Sequence, residues 1–147
     1  MSPRPRPGAA GCLFCRVASG EEPAAVVLES PAVVAFLDHR PLFPGHCLVV
    51  PRAHVETLGD LPIHLTAPLF EAVSRLARAV ETALAADGSF VAVNNRVSQS
   101  VPHLHAHVVP RRRGDGLRGF FWPRGRYASA EEMEETRRRL AEAVTTA

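Results

Sequence analysis

Residues 103–107 read His-Leu-His-Ala-His and run on into Val108-Val109-Pro110-Arg111. Three of the seven histidines in the chain therefore occupy every second position of one short segment. Side chains alternate along a β-strand, so His103, His105 and His107 would share one face. Leu104, Ala106 and Val108 would share the other and pack into a core. Same-face residues lie about 6.5–7 Å apart, a spacing at which a row of imidazoles can meet a small polyanion, a metal ion or one another. Near neutral pH imidazole serves as acid, base, nucleophile or metal ligand.

Two chemistries compete for such a face. In one, a neutral imidazole attacks phosphorus and carries a phosphoryl or nucleotidyl group, while its neighbours donate to phosphate oxygens. In the other, the histidines ligate zinc as His-x-His strands do in some hydrolases. The neighbouring residues favour the first. Gln99 and Ser100, just before the triad, can hydrogen-bond a phosphate or a leaving-group oxygen. Asn94 and Asn95 can reach the same face. Asp38, at the end of an apolar segment, suits a ribose diol. No acidic residue lies in the triad segment to complete a metal site. Cys12 and Cys15 form a C-x-x-C pair that fits redox chemistry, plain packing, or half of a zinc site. Cys47, inside an apolar run, reads as core, and His39 and His64 read as surface residues.

The elements that must position these groups can be read from periodicity. Strands are expected over residues 24–29, 33–37, 46–51 and 90–93, with the triad on a further strand. A helix is expected over 66–87, where Leu69, Val73, Leu76, Val80 and Leu84 recur at helical spacing. Thr66 would cap it, Pro68 would sit in its first turn and Gly88 would stop it. Ser129-Ala-Glu-Glu132 is a capping-box signature for a terminal helix over 129–144. The order implies an α+β fold, a mainly antiparallel sheet with one long helix packed on it and a C-terminal helix.

Bulk properties bound the rest. The 147 residues, 46% apolar and 22% charged, suit one globular domain over 11–147 behind a flexible Pro/Arg-rich tail at 1–10. A net charge of +2 singles out no partner class. An odd cysteine number and the lack of an apolar leader or membrane-length run point to a reducing, cytoplasmic setting with no membrane.

Three segments together resemble the histidine triad (HIT) family of nucleotide hydrolases and transferases. They are Val33-Val34-Ala35-Phe36-Leu37-Asp38, Pro44-Gly45-His46-Cys47-Leu48-Val49-Val50-Pro51-Arg52-Ala53-His54, and Gln99-Ser100-Val101-Pro102-His103-Leu104-His105-Ala106-His107 with its Val-Val-Pro-Arg111 continuation. The resemblance spans about residues 11 to 113. It implies attack on the α-phosphate of a nucleotide, by family habit a purine, with His105 as nucleophile. It implies that His107 binds the α-phosphate and that His46 joins the cluster. Asp38 would bind the ribose, Phe36 and Leu37 would line the base pocket, and Gln99 and Ser100 would contact phosphate or leaving group. Asn94 matches a phosphate-facing Asn, with Asn95 as the alternative. Zinc-bearing members use positions that correspond to Cys12, Cys15, His54 and His103. A homodimer is the expected assembly. The chain departs from many members at residues 94–99, where its loop is shorter and lacks glycine. Two other readings use the same pocket: a non-catalytic nucleotide-binding module, and a hydrolase of adenylated nucleic-acid ends.

The 110–128 segment is a loop rich in arginine and aromatic residues. Arg111, Arg112, Arg113, Arg118, Arg124 and Arg126 stand there against Asp115, interrupted by Phe120, Phe121 and Trp122. It could cover the nucleotide or a dimer partner, bind nucleic acid, or be a solvated basic loop.

Overall fold

The structure is a computed structural model that describes residues 10–118 and 124–146. The tail at 1–9 and the aromatic triplet Phe120, Phe121 and Trp122 lie outside the described residues. The chain divides into two compact units, Met1–Asp115 and Gly116–Ala147.

The first unit holds a five-stranded antiparallel sheet in the order β1-β2-β3-β5-β4. Its strands are β1 (Val26–Glu29), β2 (Val33–Leu37), β3 (Cys47–Pro51), β4 (Gly88–Val93) and β5 (Ala106–Arg111). The helices are α1 (Leu13–Ser19) and α2 (Ile63–Leu84), with a 3-10 turn at Leu58–Asp60. The α+β architecture expected from the sequence is the one observed.

Strands β2 and β3 are apolar on both faces because both faces are covered. Val33, Ala35, Cys47, Val49, Ala106 and Val108 pack with Leu69, Val73 and Leu76 of α2. The intervening Val34, Phe36, Leu48 and Val50 pack with Phe14, Val17 and Ala18 of α1. His107 stands opposite Leu48 in the ladder and so shares the α1 face. Gly45 delivers His46 to this sheet. Its φ is +100°, and a Cβ there would run into Leu84 Cδ1 and Pro110 Cγ.

Four expectations are corrected. The triad is not one strand: β5 begins at Ala106, so only His107 lies in the ladder. His103 bonds back to the Val101 carbonyl and Leu104 to that of Val55, each at 2.8 Å, which withholds both from sheet pairing. The alternation survives because Leu104, Ala106 and Val108 are all fully buried. Helix α2 starts at Ile63, after Pro62, with no side-chain cap, and Pro68 lies inside it. The carbonyl that Pro68 leaves unpaired belongs to exposed His64, where water can bond it. Ala85, with φ 54°, ends α2, and Gly88 opens β4 instead. Helix α1 was not expected, although Phe14, Val17 and Ala18 at i, i+3 and i+4 before Gly20 carry its signal.

In the second unit α3 spans Ala130–Thr146. Ser129 Oγ accepts from Glu132 N at 3.1 Å, the first half of the expected capping box. The Glu132 carboxylate bonds Ala128 N instead of the cap residue. Glu134–Arg137, Glu135–Arg138 and Arg138–Glu142 pairs line the helix surface. No described helix is long and apolar enough to cross a membrane.

Candidate active site and metal centre

Two histidine clusters lie side by side on the α1 face of the sheet. The first gathers Cys12, Cys15, His54 and His103, whose ligand atoms all lie within 4.8 Å of one another. Cys12 also caps α1, its Sγ accepting from Cys15 N at 3.5 Å. His103 Nδ1 is 3.4 Å from Cys12 Sγ and 3.5 Å from Cys15 Sγ, and His54 Nδ1 is 3.2 Å from Cys15 Sγ. The other nitrogen of His103, Nε2, lies 2.8 Å from the Pro51 carbonyl. A carbonyl only accepts, so Nε2 carries the proton and Nδ1 turns a bare lone pair toward the thiols. That is the tautomer a metal ligand needs, oriented as metal-binding histidines commonly are. Burial, with the neighbouring Cys12, pushes the Cys15 thiol up to about 11 when no cation is present. Two thiolates and two neutral imidazoles suit a closed tetrahedral metal site.

The second cluster gathers Asp38, His46 and His107, with His105 next to it. Its ring nitrogens are set the opposite way. The backbone N–H of Leu42 donates to His46 Nδ1 at 3.1 Å, so the proton of His46 sits on Nε2. Nε2–H then donates to His107 Nδ1 at 2.9 Å, with the Asp38 carboxylate 3.8 Å from the same nitrogen. His107 is therefore protonated on Nε2, and that buried N–H has no protein partner among the described residues. A buried donor without an acceptor is costly, which marks a place for a ligand oxygen. Burial, reinforced by His105 and His46, lowers the pKa of His107 to about 4, against the opposing pull of Asp38. Burial likewise lowers His46. Both rings stay neutral at pH 7.

His105 completes the arrangement. Its Nδ1 lies 2.8 Å from the His103 carbonyl, so Nδ1 holds the proton and Nε2 is bare. Phe14 of α1 packs edge-on against the His105 ring at 5.0 Å and against Phe36 at 5.4 Å, which holds the imidazole in place. A fixed imidazole whose Nε2 presents its lone pair is a competent nucleophile.

Beside these rings opens a cavity of about 730 Å³. It brings together Phe36, Leu37, Asp38, Ser100, His105 and His107 of the residues expected from the sequence. Leu13, Phe14 and Val17 of α1, the 22–25 segment and Val101 add walls that sequence reasoning missed. Their signal was the helical spacing of α1. His39 is exposed as expected, yet stands on the cavity rim. Asn94 and Gln99 are not on the cavity wall. The Gln99 amide is spent on the protein itself, accepting from Arg96 N of its own loop at 2.8 Å and donating to the distant Glu56 carbonyl at 2.6 Å. Asn95 Oδ1 accepts from Leu58 N at 2.8 Å. The loop without glycine holds Arg96 and Ser98 at φ 67° and 60°, which the Gln99 clasp and an Arg96–Glu56 ion pair hold down. Cys47 is core, and His64 is exposed on α2.

Fold and site together describe an antiparallel α+β domain with a histidine-lined cavity and an adjoining Cys2His2 cluster. The HIT domain model matches residues 19–114, and the chain belongs to the HIT family. It is 38% identical over 117 residues to the protein named Protein hit of Bacillus subtilis, covering 78% of this chain and 80% of that one. It is 33% identical over 105 residues to adenosine 5′-monophosphoramidase HNT1 of Saccharomyces cerevisiae, covering 70% and 64%. Among solved structures it is similar to a zinc-bound histidine triad family protein from Mycobacterium smegmatis, with TM-score 0.71, 37% identity, and 92% and 99% of the two chains covered.

Proposed function

We propose that this protein hydrolyses or transfers a purine nucleotide at its α-phosphate through a nucleotidyl-histidine intermediate on His105. The observation that carries the reading is the pairing of a bare His105 Nε2 with the unpartnered His107 N–H on one cavity wall. His105 Nε2 attacks the α-phosphorus, an N–P bond forms, and the bond to the leaving group breaks. The leaving atom keeps the electron pair and takes a proton from water. The hydroxide that this water becomes then attacks phosphorus, the N–P bond breaks, and its electron pair returns to Nε2. The products are the nucleoside monophosphate and the protonated leaving group. His107 Nε2–H donates to the phosphate oxygen in both steps.

In this reading Asp38 binds the ribose, Phe36 and Leu37 line the base side, and Ser100 meets the leaving group. Gln99 holds the loop that carries Ser100, and Asn94 heads that loop. A phosphoramidate or a dinucleoside polyphosphate offers the required α-phosphate linkage. The yeast relative named a monophosphoramidase supports the former. Incubation with adenosine 5′-phosphoramidate, rapid quenching and intact-protein mass spectrometry tests the route. A nucleotidyl adduct is expected on the wild type and not on His105→Ala. Steady turnover with no adduct, unaltered in that variant, would sink it.

Cys12, Cys15, His54 and His103 would hold zinc, supported by the His103 tautomer and the zinc-bound relative. A closed four-ligand zinc supplies cross-linking and leaves no position for substrate. Free thiols of this kind fit a reducing, cytoplasmic compartment. The exposed edge strand β4, Gly-Ser-Phe-Val-Ala-Val, has neither charge nor proline to block pairing, which supports a homodimer joined there. Sedimentation of the wild type against Val91→Lys checks it: a dimer that the substitution leaves intact would count against β4.

A further inference from the structure

The cavity has a wall that the chemistry at the histidines does not use. His105 and His107 form its reactive end, and Asp38 adjoins them through His46. Leu37, the residue before Asp38, donates its backbone N–H to the Ala25 carbonyl at 3.0 Å. The segment Glu22-Pro23-Ala24-Ala25 thus continues the wall beyond Asp38, and all four residues line the cavity. A nucleotide runs phosphate, ribose, base. With phosphate at His105 and ribose at Asp38, the base meets this segment. Pro23, Ala24 and Ala25 offer apolar side chains, as do Leu13 and Val17 of α1. Glu22 is the one charged side chain of that stretch.

Glu22 is held on both its backbone and its side chain. Gly20, at φ +83°, turns the chain at the end of α1, and Glu22 N donates to the Arg16 carbonyl at 3.1 Å. Arg16 Nη2 lies 3.5 Å from one carboxylate oxygen, and the side chain remains 41% exposed. The carboxylate is therefore oriented but still open to a ligand. An exposed ion pair of this kind contributes little to stability, so the fold gives small reason for a charge on a cavity wall.

We infer that Glu22 reads the edge of the base and makes the site selective for guanine, an inference that rests on the nucleotide reading above. An ionised carboxylate only accepts hydrogen bonds. Guanine presents two adjacent donors, N1–H and the N2 amino group, which one carboxylate can take together. Adenine presents its N6 amino group beside the N1 lone pair, so one bond is made and one oxygen faces an acceptor. Hypoxanthine keeps N1–H but lacks the amino group and falls between. Arg16 acts only as a positioning residue that holds the carboxylate.

Calorimetric titration of the full chain with GMP, IMP and AMP tests the inference, in the wild type and in Glu22→Gln. The amide preserves size but loses one acceptor and presents a donor. The wild type should bind GMP about tenfold tighter than AMP, as one further charge-assisted hydrogen bond implies, with IMP between. In Glu22→Gln the GMP:AMP ratio should fall to about twofold or less, because one bond to guanine is lost while the new amide donor meets the N1 lone pair of adenine. Equal wild-type affinity for GMP and AMP would overturn the inference, as would a ratio left intact by Glu22→Gln. If none of the three binds while the protein melts normally, the nucleotide reading itself fails and this inference falls with it.

Discussion

The two histidine clusters are built from the same ring, at similar density, on the same face of one sheet, yet they are prepared for different ligands. In the cysteine cluster a backbone carbonyl, that of Pro51, claims the far nitrogen of His103 and leaves Nδ1 bare toward two thiols. In the acidic cluster a backbone N–H, that of Leu42, claims the far nitrogen of His46 and forces the proton inward, onto the bond to His107. Ligand atoms of Asp38, His46 and His107 are close enough to surround a cation. The proton already on His46 Nε2 makes that cluster a donor chain ending in His107 Nε2–H. Proximity gathers ligands, but the partner of the second ring nitrogen decides whether a histidine offers a lone pair or a proton.

The sharpest way to break the comparison is to remove His105, whose Nε2 is bare beside the cavity. His105→Ala should lose at least about three orders of magnitude in kcat, because the covalent route is gone. Nucleotide affinity should stay within a few-fold, since Asp38 and His107 remain. Near-normal turnover would mean that the bare nitrogen is not the nucleophile.

The metal side breaks at Cys15. Elemental analysis of protein purified without chelator should find about one zinc per chain, and Cys15→Ser should lose it. Melting should fall by roughly 10 °C or more, since metal binding is coupled to folding and each kcal/mol moves Tm by about 2–4 °C at this size. Zinc retained stoichiometrically by Cys15→Ser would count against Cys15 as a ligand and against a closed Cys2His2 centre.

A smaller effect sharpens the role of the acid. Asp38→Ala should weaken a ribonucleotide by about 1.5–3 kcal/mol more than its 2′-deoxy analogue, the range for a hydrogen bond to a charged acceptor. Competition binding with both sugars measures this. Equal losses would leave Asp38 only its place beside His46.

The smallest effect is in pH. The folded pKa of His107, about 4, lies below its ordinary value of 6.5. Between those values the unfolded chain binds more protons than the folded one, so the contribution of His107 to stability is present above pH 6.5 and is lost as pH falls toward 4. Urea unfolding across that window should show a steeper decline for the wild type than for His107→Asn. Parallel declines would mean that the ring is not held neutral by its burial and neighbours.

The alternation at 103–108, the Asp38 segment and the Pro-Gly-His entry to β3 were legible in the sequence because they are local. A period of two assigns Leu104, Ala106 and Val108 to the core whether or not the segment is a regular strand. The C-x-x-C pair was legible by its spacing, but its two histidine partners only through the family resemblance, since His54 and His103 lie 39 and 88 residues from Cys15. Tertiary structure decided three things. It closed α1, too short to stand alone, over His105 through Phe14. It turned Gln99 into a loop clasp by placing the Glu56 carbonyl within its reach. It also brought the Pro51 carbonyl to His103 from 52 residues away, whereas Leu42 reaches His46 within one loop, and no periodicity encodes which backbone group, donor or acceptor, arrives beside a histidine.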